Sequence, residues 1–202
     1  MALAQQDYPG PIMYLNERIA KFYRSRLLSS ILNDAPKLVI DFEFENLDLD
    51  PHSFKELFGQ LATTIRVNRV KAEPFQLVFA NYKRDGPFHG EFADRLNLDR
   101  NLVMDTPRSY LDLYPRQQLV YLSRDSRRQM REYDPSKIYI IGALLESTRC
   151  RFASYNKARR DQIVCESLPI DRHVDWRQGQ QTLAIPVGVK MVAHLYHGMD
   201  WK

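Results

Sequence analysis

The chain has 202 residues, 44% of them hydrophobic, a formal charge of +4 and an isoelectric point near 9.0. That length supports one sizeable core, and the composition excludes collagen, coiled-coil and low-complexity classes. No apolar run approaches the roughly 18 residues of a membrane-spanning helix, and no membrane partner is expected. Cys150 and Cys165, the only two cysteines, are expected as free thiols, one bridge being the alternative.

The opening "MALAQQDYPGP" has the pattern of neither a signal peptide nor an Arg-rich presequence. Asn16 to Leu32 reads as a helix closed by the breaker "NDAP". "KLVIDFEF" (Lys37–Phe44) reads as a strand. With Asp50 as N-cap and Pro51 in the first turn, "DPHSFKELFGQLATTIRVNR" continues as a helix. "FQLVFANY" (Phe75–Tyr82) is a second continuous apolar strand, "PFHGEFADRLN" a helix and Leu102–Met104 a short strand. "LVYLSRDS" is a strand running into a polar turn, and Ile138–Leu145 a strand ending on Glu146. A helix over Ser154–Val164, a strand at "ESLPI" and a last helix from Pro186 to Gly198 complete the series. Apolar strands alternating with helices predict an α/β domain, its mostly parallel sheet covered on both faces. One domain at residues 36–202, preceded by a helical extension at 1–35, is the simplest organisation.

Such a sheet binds its ligand at the carboxyl ends of the strands. With eight glycines and neither G-x-G-x-x-G nor G-K-[ST], dinucleotide and P-loop chemistry are excluded. Nor is there a G-x-S-x-G elbow for a hydrolase. His194 and His197 stand three apart near Asp200 but lack the H-E-x-x-H frame, so no metal is expected. The charge is uneven. Arg124 to Arg160 holds ten basic residues against four acidic ones, a local excess of +6. Its arginines fall in two loops that each follow a strand, "SRDSRRQMR" and "STRCR", and that pattern points to a polyanion, most simply RNA.

Five blocks then occur in order: "EPFQLVFANYKRDG", "YLDLYPRQQLVYLSRDS", "KIYIIGALLES", "ESLPIDRHVDW" and "QTLAIPVGVKMVAHL". Together they resemble the tRNA purine-9 N1-methyltransferases, a family of SPOUT methyltransferases. The nearer likeness is to their mitochondrial branch, the methyltransferase subunit of mitochondrial ribonuclease P. The resemblance implies a C-terminal trefoil knot holding S-adenosylmethionine, a topology periodicity cannot suggest. It implies cofactor contacts at Leu122, Ser123, Gly142, Leu168, Ile170, Thr182 and Leu183. It puts Glu146 where the family has an aspartate proposed as general base, and Gln60 at a glutamine near the target base. Asn81, ending its strand, is expected either to shape that cleft or only to close a turn. RNA contacts are expected from Lys83, Arg84, Arg124, Arg127, Arg128, Arg131, Arg149, Arg151, Lys157 and Arg160. The implied partners are mitochondrial precursor tRNA, a short-chain dehydrogenase subunit and a protein-only ribonuclease P nuclease. The implied compartment is the mitochondrial matrix, and the domain itself is expected to be monomeric. Relatives continue beyond "GMDWK", so the chain reads as part of a longer protein. A non-catalytic RNA-binding scaffold that keeps the fold is the alternative reading.

Overall fold

A computed structural model describes residues 11–44, 51–85, 95–145, 150–172 and 183–199, with no side chains described at 11–15, 51 and 171. Strands β1 (Lys37–Asp41), β2 (Gln76–Ala80), β3 (Met104–Asp105), β4 (Leu119–Leu122), β5 (Ile138–Gly142) and β6 (Val164–Glu166) form one sheet in the order β3-β2-β1-β5-β4-β6. Every pairing is parallel. The central strands read as unbroken apolar runs because both of their faces are covered.

Alternation along the strands divides the core in two. Leu38, Ile40, Leu77, Phe79, Val120, Leu122 and Tyr139 face helices α2 (Pro51–Arg69) and α5 (Ile185–Tyr196), meeting Leu57, Leu61, Val189 and Val192. Val39, Val78, Tyr121 and Ile140 face the other way, toward Tyr110 of the one-turn α3 (Tyr110–Leu113) and Ala158 of α4 (Ala153–Arg160). Helix α5 runs antiparallel to the strands. Gly188 near its start approaches Ile141, and the Tyr196 hydroxyl at its end donates to Glu73, just ahead of β2.

Helix α1 (Pro11–Leu32) docks through its last turns. Leu27 and Ser30 are buried, and the Ser30 hydroxyl donates to the Pro74 carbonyl at 2.6 Å. Asn68 clamps the α2–β2 turn, donating to the Phe75 carbonyl at 2.9 Å and accepting the Phe75 N–H at 3.0 Å.

Several expected boundaries move. β1 stops at Asp41, where the chain turns so that the Glu43 N–H donates to the Asp41 carboxylate. The short strand is Met104–Asp105 rather than Leu102–Met104, because Leu102 adopts φ +52. The helix expected to Val164 ends at Arg160, and Gln162 at φ +55 turns the chain into β6. "ESLPI" contributes only Glu166 to that strand, and Ile170–Arg172 forms a 3-10 turn. Asp50 and most of "PFHGEFADRLN" lie outside the described residues, as do residues 173–182 within the segment expected to form the knot.

Candidate active site and cationic cleft

The carboxyl ends of β1, β5, β4 and β6 are tied to one another. The Ala143 N–H donates to the Asp41 carbonyl at 2.7 Å, and the Ser123 N–H to the Glu166 carbonyl at 2.9 Å. Beyond β4 the Ser126 hydroxyl reaches the Cys165 carbonyl at 2.8 Å. The Ser167 N–H donates to Arg128 O at 2.8 Å, and the Met130 N–H to Ser167 O at 2.9 Å. The loop after β4 is thereby laid beside the segment after β6, so two stretches expected to hold the cofactor share a ladder.

Leu122, Ser123 and Ile170 are buried, while Leu168 and Leu183 are half-buried. Leu122 and Leu168 join Ala143 and Leu145 in one apolar cluster, so three loops present apolar surface at the same edge. The Ile170 N–H closes on the Leu168 carbonyl at 2.8 Å. Gly142 is packed tightly. A Cβ there would lie 2.7 Å from Leu144 Cδ2, 2.9 Å from Phe44 Cε2 and 3.1 Å from the Tyr121 hydroxyl. Glu146, Arg149 and Thr182 lie outside the described residues.

Gln60 takes a position its sequence context did not suggest. Its Oε1 accepts the Ile185 N–H at 2.9 Å, and its amide donates to Glu56 at 3.2 Å. Ala184, the N-cap of α5, makes no side-chain cap of its own. Gln60 therefore satisfies a donor that the helix start would otherwise leave unpaired, and fixes the backbone just after Leu183.

Sequence reasoning missed a buried ionic network under the same edge. Asp41 is fully buried and accepts from Asn81 Nδ2 at 2.7 Å and the Tyr121 hydroxyl at 2.9 Å. Lys157 Nζ lies 3.7 Å from Asp41 and 2.9 Å from Asp161, and also binds Glu43. Asp161 in turn accepts from the Tyr110 hydroxyl, and Arg160 binds Glu43 at 2.5 Å. Burial raises the pKa of Asp41, offset in part by Lys157. For Asp161 burial again pushes upward, but Tyr110, Lys157 and Arg160 prevail and hold it below the ordinary value. Burial alone would lower Lys157, yet Asp41, Glu43 and Asp161 raise it and keep it charged. The one signal available was an aspartate interrupting the apolar run "KLVIDFEF".

Lys157 accordingly leaves the set of RNA contacts. Its side chain is 4% exposed and bound to three carboxylates, so it cannot reach a phosphate without breaking the network. Arg84 is exposed but bidentate to Asp105, at 2.5 and 2.7 Å. Arg160 stands on α4, on the face opposite α2 and α5. Lys83, Arg124 and Arg151 are exposed. Arg127, Arg128 and Arg131 instead meet in a cleft of about 1000 Å³ on the other face, with Lys137 and Arg172. The basic stretch is thus divided between the two faces of the sheet.

Comparison with known proteins identifies the lineage. A family profile described as tRNA (guanine(9)-N(1))-methyltransferase TRM10/TRM10A matches residues 16–202. The chain belongs to that family. Among curated relatives, "tRNA methyltransferase 10 homolog C" of Homo sapiens is 29% identical over 167 residues, spanning 82% of this chain and 41% of its own length. "Mitochondrial ribonuclease P protein 1 homolog" of Drosophila melanogaster is 25% identical over 183 residues, spanning 89% and 41%. The chain therefore spans about two fifths of the length of these relatives. The crystal structure of full-length spTrm10 in complex with SAH superposes with a TM-score of 0.71 at 27% identity, covering 82% of this chain and 89% of that one. The α/β fold with a mostly parallel sheet, expected from the strand pattern, is borne out, and the sheet has six strands.

Proposed function

We propose that this chain is an S-adenosylmethionine-dependent tRNA methyltransferase acting on N1 of guanine or adenine at position 9. On this reading it also serves as the tRNA-binding methyltransferase subunit of mitochondrial ribonuclease P. The observation that carries the proposal is the family match, which runs from residue 16 to 202 and so spans every strand end described above. The SAH-bound neighbour and the relative bearing the ribonuclease P name support its two halves.

The strand-end residues suit such a cofactor. Leu168 shares an apolar cluster with buried Leu122, Leu183 is half-buried and Ile170 buried, apolar surface suited to an adenine ring. Ser123, Gly142 and Thr182 complete the proposed contacts, in a C-terminal trefoil knot within residues 36–202. S-adenosylmethionine supplies the methyl electrophile. Methylating guanine N1 requires loss of its proton, and Glu146, four residues beyond β5, provides the carboxylate that takes it. Adenine N1 has no such proton, so there Glu146 only orients the base. Gln60 keeps its carbonyl on α5, and the second N–H of its amide is the donor offered to the purine edge. The proposed partners are precursor tRNA, the short-chain dehydrogenase subunit and the protein-only nuclease, in the mitochondrial matrix; the domain itself is monomeric.

One observation favours a second reading. Glu146 stands where the family likeness implies aspartate, and one extra methylene displaces the carboxylate on the scale to which catalytic geometry is sensitive. A tRNA-binding scaffold would then remain. Labelled methyl transfer by the full-length protein with its dehydrogenase partner separates the two, comparing wild type with Glu146→Gln. Transfer that collapses in the variant supports the enzyme. Tight tRNA binding without transfer in either protein supports the scaffold.

A further inference from the structure

The cleft on the α2/α5 face is built from three separate stretches of chain. Arg127, Arg128 and Arg131 come from the segment after β4, Lys137 from just before β5, and Arg172 from the 3-10 turn after β6. These five cations face three carboxylates, Glu132, Asp134 and Glu166. Two of the three are engaged: Glu166 accepts from Arg128 Nε at 2.8 Å, and Asp134 from the Ser136 N–H at 2.8 Å and the Ser136 hydroxyl at 2.6 Å. Val120, Tyr139 and Pro169 give the cleft an apolar floor.

The arginine segment is not a loose tail. Its backbone is paired to Ser167 on both sides of Gln129, and the Arg128 N–H donates to the Ser126 hydroxyl at 3.2 Å. Arginines on a pinned backbone lose less freedom on binding, and their planar forks match phosphate oxygens bidentately. At about 1000 Å³ the cleft reaches the upper end of the range for whole small-molecule pockets, far more than a single phosphate fills.

Resting on the tRNA reading above, we infer that this cleft is the RNA backbone groove. It receives successive phosphates along the β4–β6 side of the sheet, with Lys137 and Arg172 as contacts alongside Arg127, Arg128 and Arg131. Arg160, paired with Glu43 and Asp161 on the opposite face, lies outside this groove.

The test is tRNA binding by fluorescence anisotropy across a salt series. It compares wild type, the triple variant Arg127→Gln/Lys137→Gln/Arg172→Gln, and a control, Lys55→Gln, on the exposed surface of α2. Each phosphate contact contributes about 0.7–0.9 to the slope of log affinity against log salt. The triple variant is therefore expected to lose roughly two to three units of slope, and the control none. Thermal unfolding and S-adenosylmethionine affinity report whether the variant is intact. An unchanged slope and affinity in the triple variant, or an equal loss in the control, overturns the inference. So does displacement of tRNA by a polyglutamate peptide as effective as RNA itself. The two proposals fail separately. A wild type that binds tRNA through these residues but transfers no methyl contradicts the enzyme and keeps the groove. Transfer by a triple variant with wild-type tRNA affinity keeps the enzyme and removes the groove.

Discussion

Replacing Lys157 with methionine is expected to destabilise the fold by about 3–5 kcal/mol near neutral pH. Methionine keeps much of the side chain's length and apolar stem, so the main loss is the counter-charge. That charge sits 2.9 Å from Asp161 and 3.7 Å from the fully buried Asp41, in a side chain only 4% exposed. Removing one member of such a group leaves buried charge uncompensated. Against a total stability of about 5–15 kcal/mol, the loss corresponds to a fall of roughly 6–20 °C in melting temperature for a domain of this size. The pH dependence is a stricter check. Asp161 has its pKa lowered by folding, so its stabilising contribution is present above the ordinary carboxylate value and fades as pH falls through the lowered one. Lys157, raised by folding, contributes below its ordinary value and loses that contribution as pH rises through the raised one. Asp41, also raised, favours the fold most when protonated at low pH and less as pH rises through its folded value. Without Lys157 the carboxylates titrate upward, so acidification from neutral pH relieves the variant more than the wild type, in which Asp161 holds its contribution until the pH falls below the ordinary carboxylate value. Urea unfolding at about pH 7 and about pH 4.5 is expected to give stabilities that converge at the lower pH. A loss under about 1 kcal/mol at neutral pH, or a gap of constant size, refutes the account of the network. The salt slope of tRNA binding should also stay at its wild-type value.

Gly142→Ala is expected to cost about 1–3 kcal/mol, because the added Cβ meets Leu144, Phe44 and the Tyr121 hydroxyl; differential scanning calorimetry measures this, and cofactor affinity should fall with it. Gln60→Ala leaves the Ile185 N–H unpaired and should cost about 1 kcal/mol. Gln60→Glu keeps the acceptor for Ile185 but sets a second carboxylate against Glu56, so unfolding should recover only part of the loss while methyl transfer does not recover; recovery of transfer would remove Gln60 from the base-facing set. Burial pushes the Cys165 thiol up to about 11. In a Cys150→Ser background, alkylation of Cys165 should be slow at neutral pH and accelerate only as pH approaches that value.

The central sheet was legible because its strands are buried on both faces. "KLVID", "QLVFA", "LVYL" and "IYIIG" admit no polar alternation, and that pattern belongs to parallel strands between helices. β6 was harder to see. "VCE" is short, lies at the sheet edge and is incompletely buried, so the helical pattern of "ASYNKARR" was carried through it. Neither glycine nor proline marks the break; Gln162 turns the chain by adopting a left-handed conformation. The role of Lys157 was hidden for a different reason. Its Asp161 partner is one helical turn away, but Glu43 is 114 positions distant, so the local sequence showed only a basic run. Gln60 meets Ile185 across 125 positions, and no periodicity encodes such a contact. The arginines after β4 were legible as cations, but their separation from those of α4 depends on which face of the sheet each segment crosses.

The most direct test of the central claim is to locate the methyl group. Unmodified mitochondrial tRNA carrying a purine at position 9 would be incubated with S-adenosylmethionine, the full-length protein and the proposed dehydrogenase partner, then digested and sequenced by mass spectrometry. The account expects one added methyl, at N1 of purine 9, absent when position 9 is a pyrimidine. A methyl placed elsewhere, or tRNA bound and returned unmodified, would contradict it.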